Sequence, residues 1–139
     1  MLGIFGGGDK RSKPLVLVVD DDDGIREMLI DIVQALGADT IDASNGADGV
    51  KLALKSIPDL VLLDVRMPMM DGFDVCRSIK TDAKGKAIPV FMVTSMDQHK
   101  DVEKALANGA DGFIAKPLNH SVFKKKITDV LKLPLKPDL

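Results

Sequence analysis

The sequence predicts an α/β fold built on one parallel sheet, and three observations point to it. Short apolar runs alternate five times with patterns of helical spacing between Pro14 and Leu133. Three of those runs, Leu15–Val19, Leu60–Leu63 and Val90–Val93, contain no polar residue, as in strands covered on both faces. The length of 139 residues suits one domain, since two separate cores would each be small. Strands alternating with helices in this way imply right-handed crossovers between parallel strands.

The elements follow in order. Residues 1–13, MLGIFGGGDKRSK, read as a flexible tail that is apolar, then glycine-rich, then basic. Leu15–Val19 is the first strand and stops at Asp20. Ile25, Met28, Leu29, Ile32, Val33 and Leu36 then recur at helical spacing, and Gly37 is placed to end that helix. Asp39–Ala43 reads as a strand interspersed with polar residues. Asn45 to Lys55 is a weaker helix with Ala47, Val50 and Leu54 facing inward. Leu60–Leu63 stops at Asp64, and a loop containing Pro68 follows. Gly72, Val75, Cys76 and Ile79 form the third helical stripe. Val90–Val93 stops at Thr94-Ser95, and Val102, Ala105, Leu106 and Gly109 mark the fourth helix. Gly112–Ala115 is a short strand ending at Lys116-Pro117. Phe123, Ile127, Val130 and Leu131 mark the last helix, which Pro134 and Pro137 stop, so 134–139 is a C-terminal tail and 14–133 the folded domain. Polar residues make the second strand an edge, and brevity makes the fifth the other edge. The flavodoxin-like (βα)5 three-layer sandwich, with strand order 2-1-3-4-5, accommodates both.

Composition narrows the function classes. Hydrophobic residues are 45% and charged residues 29% of the chain, a globular balance. The lone Cys76 excludes an internal disulfide framework and favours a reducing, cytoplasmic setting. No apolar run approaches the roughly 20 residues of a membrane span, and the first residues lack a signal-peptide pattern. The net charge of −2 argues against nucleic acid as the main partner. Of the 21 acids all but Glu27 and Glu103 are Asp, a residue better suited to caps, turns and metal ligation than to helix interiors.

Sites in open α/β sheets lie beyond the carboxyl ends of the strands. There this sequence places Asp20 and Asp21, then Asp64, Thr94 and Lys116. Three carboxylates against one ammonium leave two uncompensated negative charges, and like charges raise one another's pKa. A divalent cation relieves that repulsion. An all-oxygen donor set selects a hard ion, Mg²⁺ first and Mn²⁺ second. Mg²⁺ retains positions for water and phosphate oxygens, so such a site suits phosphoryl transfer. Asp64, alone at the end of a buried strand, is the best nucleophile, becoming an acyl phosphate. The Thr94 hydroxyl and the Lys116 ammonium are placed to meet phosphoryl oxygens.

The segments VVDDDDGIREML, LLDVRMPMMDG, VTS and GADGFIAKP resemble, in order and spacing, the receiver-domain signatures of two-component response regulators. The resemblance covers about residues 14–133. It implies that Asp64 is the phosphoacceptor and that Asp20 and Asp21 are the acidic pair. Asp21 would be the direct Mg²⁺ ligand, with Asp20 acting through water and the Arg66 backbone carbonyl as a further ligand. Thr94 and Lys116 match the switch hydroxyl and the family lysine, Phe113 matches the switch aromatic, and the Lys116-Pro117 bond would be cis. The implied partners are a histidine kinase or histidine phosphotransfer protein upstream and a protein target downstream, with a phosphorylation-dependent dimer as an allowed form. The chain would be a phosphorylation switch, catalysing only its own phosphorylation and dephosphorylation. No DNA-binding or cyclase pattern follows residue 133, so output is expected through a protein contact, a phosphorelay step or an effector outside this sequence. Two rivals are a degenerate, phosphorylation-independent module and a haloacid-dehalogenase-type phosphatase, whose DxDxT motif is absent. The resemblance further implies that Arg66 and Met96, each two positions beyond a matched site residue, would border the approach of a hydrolytic water.

Other residues have plainer readings. Asp22 and Asp23 serve a helix N-terminus, with Asp23 the cap before Gly24. Asp71 is a turn or cap residue, and Cys76 a half-buried structural thiol. Met67, Met69 and Met70 pack beside the site. His99 and His120 are surface residues, and Lys124, Lys125 and Lys126 a solvated face. Gly6-Gly7-Gly8 is no phosphate loop, because no GK[ST] follows.

Overall fold

The computed structural model describes residues 11–95 and 99–134. The readings of Gly6-Gly7-Gly8, Met96, the His99 side chain and most of both tails lie outside the described residues.

Among the described residues ten elements alternate: β1 (Leu15–Val19), α1 (Asp23–Ala35), β2 (Asp39–Ala43), α2 (Gly46–Ser56), β3 (Leu60–Leu63), α3 (Gly72–Lys80), β4 (Val90–Thr94), α4 (His99–Ala107), β5 (Gly112–Ala115) and α5 (His120–Leu131). The strands form one sheet in the order β2-β1-β3-β4-β5, and every pairing is parallel. The expected fold, order and edges are therefore present.

Side chains alternate along each strand, so the sheet builds a core on each face. Leu17, Val19, Val61, Leu63, Val90 and Met92 meet Ala53, Val75, Cys76, Ile79 and Ala105 from α2, α3 and α4. Val16, Val18, Leu60, Leu62 and Val93 meet Leu29, Val33, Phe123 and Ile127 from α1 and α5. The two apolar layers leave the carboxyl edge of the sheet as the place where polar groups gather.

The structure corrects several local readings. The buried face of α2 is Gly46, Gly49 and Ala53, while Ala47 is exposed. A Cβ at Gly49 would lie 3.0 Å from both Val19 methyl carbons, and one at Gly46 2.8 Å from the Met70 carbonyl oxygen. The helix packs through its glycines, which apolar periodicity does not count. Asp22, not Asp23, caps α1: its side chain accepts from the Ile25 N–H at 2.9 Å. Asp71 caps α3, as expected. Cys76 is fully buried rather than half-buried, and burial pushes its thiol up to about 11. Met67 is buried and Met70 packs against the core, but Met69 is fully exposed. Met69 occupies a left-handed conformation, φ 71°, at the centre of a tight turn in which the Met70 N–H donates to the Pro68 carbonyl at 2.8 Å.

Arg11, inside the segment read as a tail, is held by the domain. Its guanidinium donates to the Ser56 and Ile57 carbonyls, which are orphan acceptors at the end of α2, and to Asp59.

Candidate functional site

Parallel register brings the site together. Val19 pairs with Ala43 on one side and Leu63 on the other, so β1 and β3 release their next residues, Asp20 and Asp64, side by side. The Asp64 N–H donates to the Val19 carbonyl at 3.0 Å, and the Asp20 N–H to the Ala43 carbonyl at 3.2 Å. Across the sheet Thr94 pairs with Ala115, and the Lys116 N–H donates to the Thr94 carbonyl at 2.9 Å. The last ladder bonds of the sheet thus fix the backbone of the site residues themselves.

Gly72 secures the Asp64 loop from behind. A Cβ there would stand 2.7 Å from Val65 Cα, and the Gly72 N–H donates to the Val65 carbonyl at 2.8 Å. Only a residue without a side chain lets α3 start so close to β3.

Asp20, Asp64 and Thr94 are buried, while Asp21 is exposed at the rim. Lys116 Nζ lies 3.4 Å from Asp20 Oδ2 and 3.5 Å from Asp64 Oδ1. It stands between two carboxylates at the long limit of hydrogen bonding, closely paired with neither. The Asp20 carboxylate also accepts the Asp22 N–H at 2.9 Å. Oxygens of Asp20, Asp21 and Asp64 all lie within 4.8 Å of one another.

The electrostatics follow from this crowding. Burial, and then the charges of Asp20 and Asp21, push the Asp64 carboxyl up from 3.8 to about 6, with Lys116 opposing them. Asp64 is therefore mostly ionised at neutral pH, which a nucleophile requires. Among the described residues the cluster offers carboxylate oxygens and no nitrogen or sulfur donor, a set that fits a hard divalent ion.

The remaining sequence-selected residues surround this centre. Arg66 is exposed in the loop just past Asp64. Phe113 is half-buried on β5, opposite Met92, and its carbonyl accepts from Lys126 Nζ at 2.9 Å. The Lys116-Pro117 bond is cis. His120 and Lys125 are exposed. Arg26 escaped the sequence reading. Its spacing from Asp23 and Asp20 is local, while its contact to Asp42 depends on how β2 folds back.

Residues 16–128 match the model of the response regulator receiver domain family. Protein PilH of Pseudomonas aeruginosa is 37% identical, over 84% of this chain and 96% of its own length. The transcriptional regulatory protein AfsQ1 of Streptomyces coelicolor is 36% identical over 86% of this chain, but only 52% of AfsQ1 is covered. The chain spans about half the length of this and similar curated transcriptional regulators. Among solved structures, the chemotaxis protein CheY4 of Vibrio cholerae superposes with a TM-score of 0.81 at 30% identity, covering 86% of this chain and all of that one. A signal receiver domain of a histidine kinase from Syntrophus aciditrophicus gives 0.78 at 34% identity, covering 86% and 90%. The family match spans the sheet, the buried Asp64 and the lysine that faces it, and this chain belongs to the response regulator receiver domain family.

Proposed function

We propose that this chain is a phosphorylation-activated receiver that takes a phosphoryl group onto Asp64 from a histidine kinase or histidine phosphotransfer protein. The observation that carries the reading is the position of Asp64. It is the central carboxylate of the acidic cluster, buried to 8% exposure, and its Oδ1 lies 3.5 Å from the Lys116 ammonium.

Asp64 attacks the phosphorus of a phosphohistidine. An Asp64 O–P bond forms, the P–N bond breaks with its electron pair staying on the imidazole nitrogen, and the imidazole, already protonated at its other ring nitrogen, departs neutral. Burial limits water at the nucleophile, and Lys116 balances charge on one phosphoryl oxygen. Thr94, at the end of β4, offers a hydroxyl to a second. Asp20, Asp21, Asp64 and the Arg66 carbonyl would hold Mg²⁺ (Mn²⁺ as substitute), which would neutralise phosphoryl charge when bound.

A phosphoryl oxygen on Asp64 gives the Thr94 hydroxyl a new acceptor, which draws the end of β4 toward Asp64 and changes the room available to Phe113. The resulting change of surface around α4, β5 and α5 is the signal to a downstream protein. As a switch, the chain would turn over no metabolite and would act in the cytoplasm, where its kinase partner presents the phosphohistidine.

Incubation with acetyl phosphate and Mg²⁺, followed by intact-mass analysis, tests the assignment. Wild type gains one phosphoryl group and Asp64→Asn gains none. Equal labelling of the two proteins would refute it.

A further inference from the structure

Arg26 lies in the first turn of α1, and its side chain is only 13% exposed. All three of its guanidinium nitrogens are engaged. Nε donates to Asp42 Oδ2 on β2 at 2.9 Å. Nη2 donates to Asp23 Oδ1 at 2.6 Å. Nη1 donates to the backbone carbonyl of Asp20 at 2.8 Å. A guanidinium is a rigid planar fork, so these three acceptors are fixed relative to one another.

The third contact is the informative one. The Asp20 carbonyl belongs to the peptide group joining Asp20 to Asp21. Orienting that group sets the directions in which both carboxylates leave the chain. Its N-terminal side is anchored by the Asp20 N–H to Ala43, and Arg26 ties its carbonyl, through Asp42, to the same strand. Asp42 is one residue before Ala43, so a single stretch of β2 holds the acidic pair from both sides.

We propose that Arg26 is a positioning residue for the Asp20–Asp21 pair, holding the peptide between them so that both carboxylates face Asp64 and together take a divalent cation. The proposal rests on the reading of the acidic cluster as a Mg²⁺ site, and it assigns Arg26 an effect opposite in sign to that of its charge. A positive charge this close repels a cation, so charge alone predicts that removing Arg26 tightens Mg²⁺ binding. Loss of positioning predicts that removal weakens it. A purely structural ion-pair network predicts lower thermal stability with unchanged Mg²⁺ affinity.

Calorimetric titration with MgCl₂ at fixed ionic strength decides among these, using wild type, Arg26→Met and Arg26→Lys, each checked for folding by circular dichroism. Lysine keeps the charge but cannot bridge three acceptors. Both variants are expected to bind Mg²⁺ about tenfold more weakly, the scale of losing an outer partner of a metal ligand. Unchanged or tighter binding by the Met variant, or wild-type affinity in the Lys variant, would overturn the proposal. Should the Met variant not fold, the Lys variant carries the decision. Wild type that binds Mg²⁺ and is labelled at Asp64, beside unaffected variants, defeats the Arg26 role alone. Wild type that does neither defeats the functional reading and this proposal together.

Discussion

The two ends of the sheet use the same residue types to opposite effect. At the amino end, Asp59 and Asp111 each stand immediately before a strand and clamp the neighbouring one. The Leu15 N–H donates to Asp59 Oδ2 at 2.8 Å, and the Val90 N–H to Asp111 Oδ2 at 2.8 Å. The backbone N–H of each Asp returns a bond to the same neighbour, at 2.7 Å to the Leu15 carbonyl and 2.8 Å to the Val90 carbonyl. Each carboxylate also has its own cation, Arg11 at 3.2 Å and Lys80 at 2.9 Å. At the carboxyl end, three carboxylates share one lysine that stands 3.4 Å and 3.5 Å from two of them. One end is paired ion by ion and partly solvated, while the other buries two of its three carboxylates and, among the described residues, is short of positive charge. The carboxyl end is where an incoming cation relieves the most repulsion, because there, among the described residues, three carboxylates share a single ammonium.

Exchanging damage between the two ends tests this contrast most severely. Asp21→Ala should reduce Mg²⁺ affinity by on the order of a hundredfold or more, because losing a direct ligand should cost at least as much as losing an outer-shell partner, with little effect on folding. Asp111→Ala should leave Mg²⁺ affinity unchanged and lower stability by about 1–2 kcal/mol, through the lost bond to Val90 N–H and the stranded Lys80. Asp22→Ala, beside the site but acting as a helix cap, should behave like Asp111→Ala at about 1 kcal/mol. Calorimetric Mg²⁺ titration and urea unfolding separate these cases. A metal defect in Asp111→Ala, or a normal metal response in Asp21→Ala, would erase the distinction between the ends.

Acid titration sharpens the same point. The folded protein holds the Asp64 carboxyl at about 6 against an ordinary 3.8. Between those values the folded state keeps a proton that the unfolded chain has released. Asp64 therefore contributes stability that is fully present below about pH 4 and is lost as pH rises through about 6. At ~1.4 kcal/mol per tenfold change in proton affinity, the loss is on the order of 2–3 kcal/mol. The measurement is the difference between metal-free wild type and Asp64→Asn, which isolates this one carboxyl. Asp64→Asn should gain relative stability as pH rises across that window and hold it above. A difference that does not vary with pH would mean that Lys116 fully offsets the burial of Asp64.

The functional end was far more legible in the sequence than the structural end. Asp20, Asp64, Thr94 and Lys116 each terminate an apolar run, and a run that stops at a polar residue is a local signal. The clamps are not local: Asp59 and Leu15, or Lys80 and Asp111, are distant in the chain and become neighbours only when the sheet forms. The contact of Arg26 to Asp42 was invisible for the same reason. The α2 face was misread because burial there follows Gly46 and Gly49, and close packing through glycine leaves no apolar periodicity. The Asp22/Asp23 exchange reflects four consecutive acids, any of which has the chemistry of a cap. The exposure of Met69 was hidden because an apolar residue in a loop carries no period to show which way it faces.

That methionine supplies the smallest effect. The positive-φ residues at the amino end, Ile57 and Lys132, are the caps of α2 and α5, a conformation that closes helices and satisfies their carbonyls. Met69 ends no helix. It is the centre of a turn closed by the Met70 N–H and the Pro68 carbonyl, with φ 71°, and turns of that hand are strained for residues with a Cβ. Its side chain is fully exposed, so truncation forfeits no packing. Met69→Gly removes a left-handed penalty of about 1–2 kcal/mol and gives back about 0.5–1 kcal/mol through the greater freedom of glycine in the unfolded chain. The net expectation is a gain of ~0.5 kcal/mol, about 2 °C in melting temperature for a domain of this size, with Mg²⁺ affinity unchanged. Differential scanning calorimetry resolves a shift of that size. A lower melting temperature would show that the turn carries no relievable strain, and the strained backbone would then cease to distinguish the carboxyl end from the amino end.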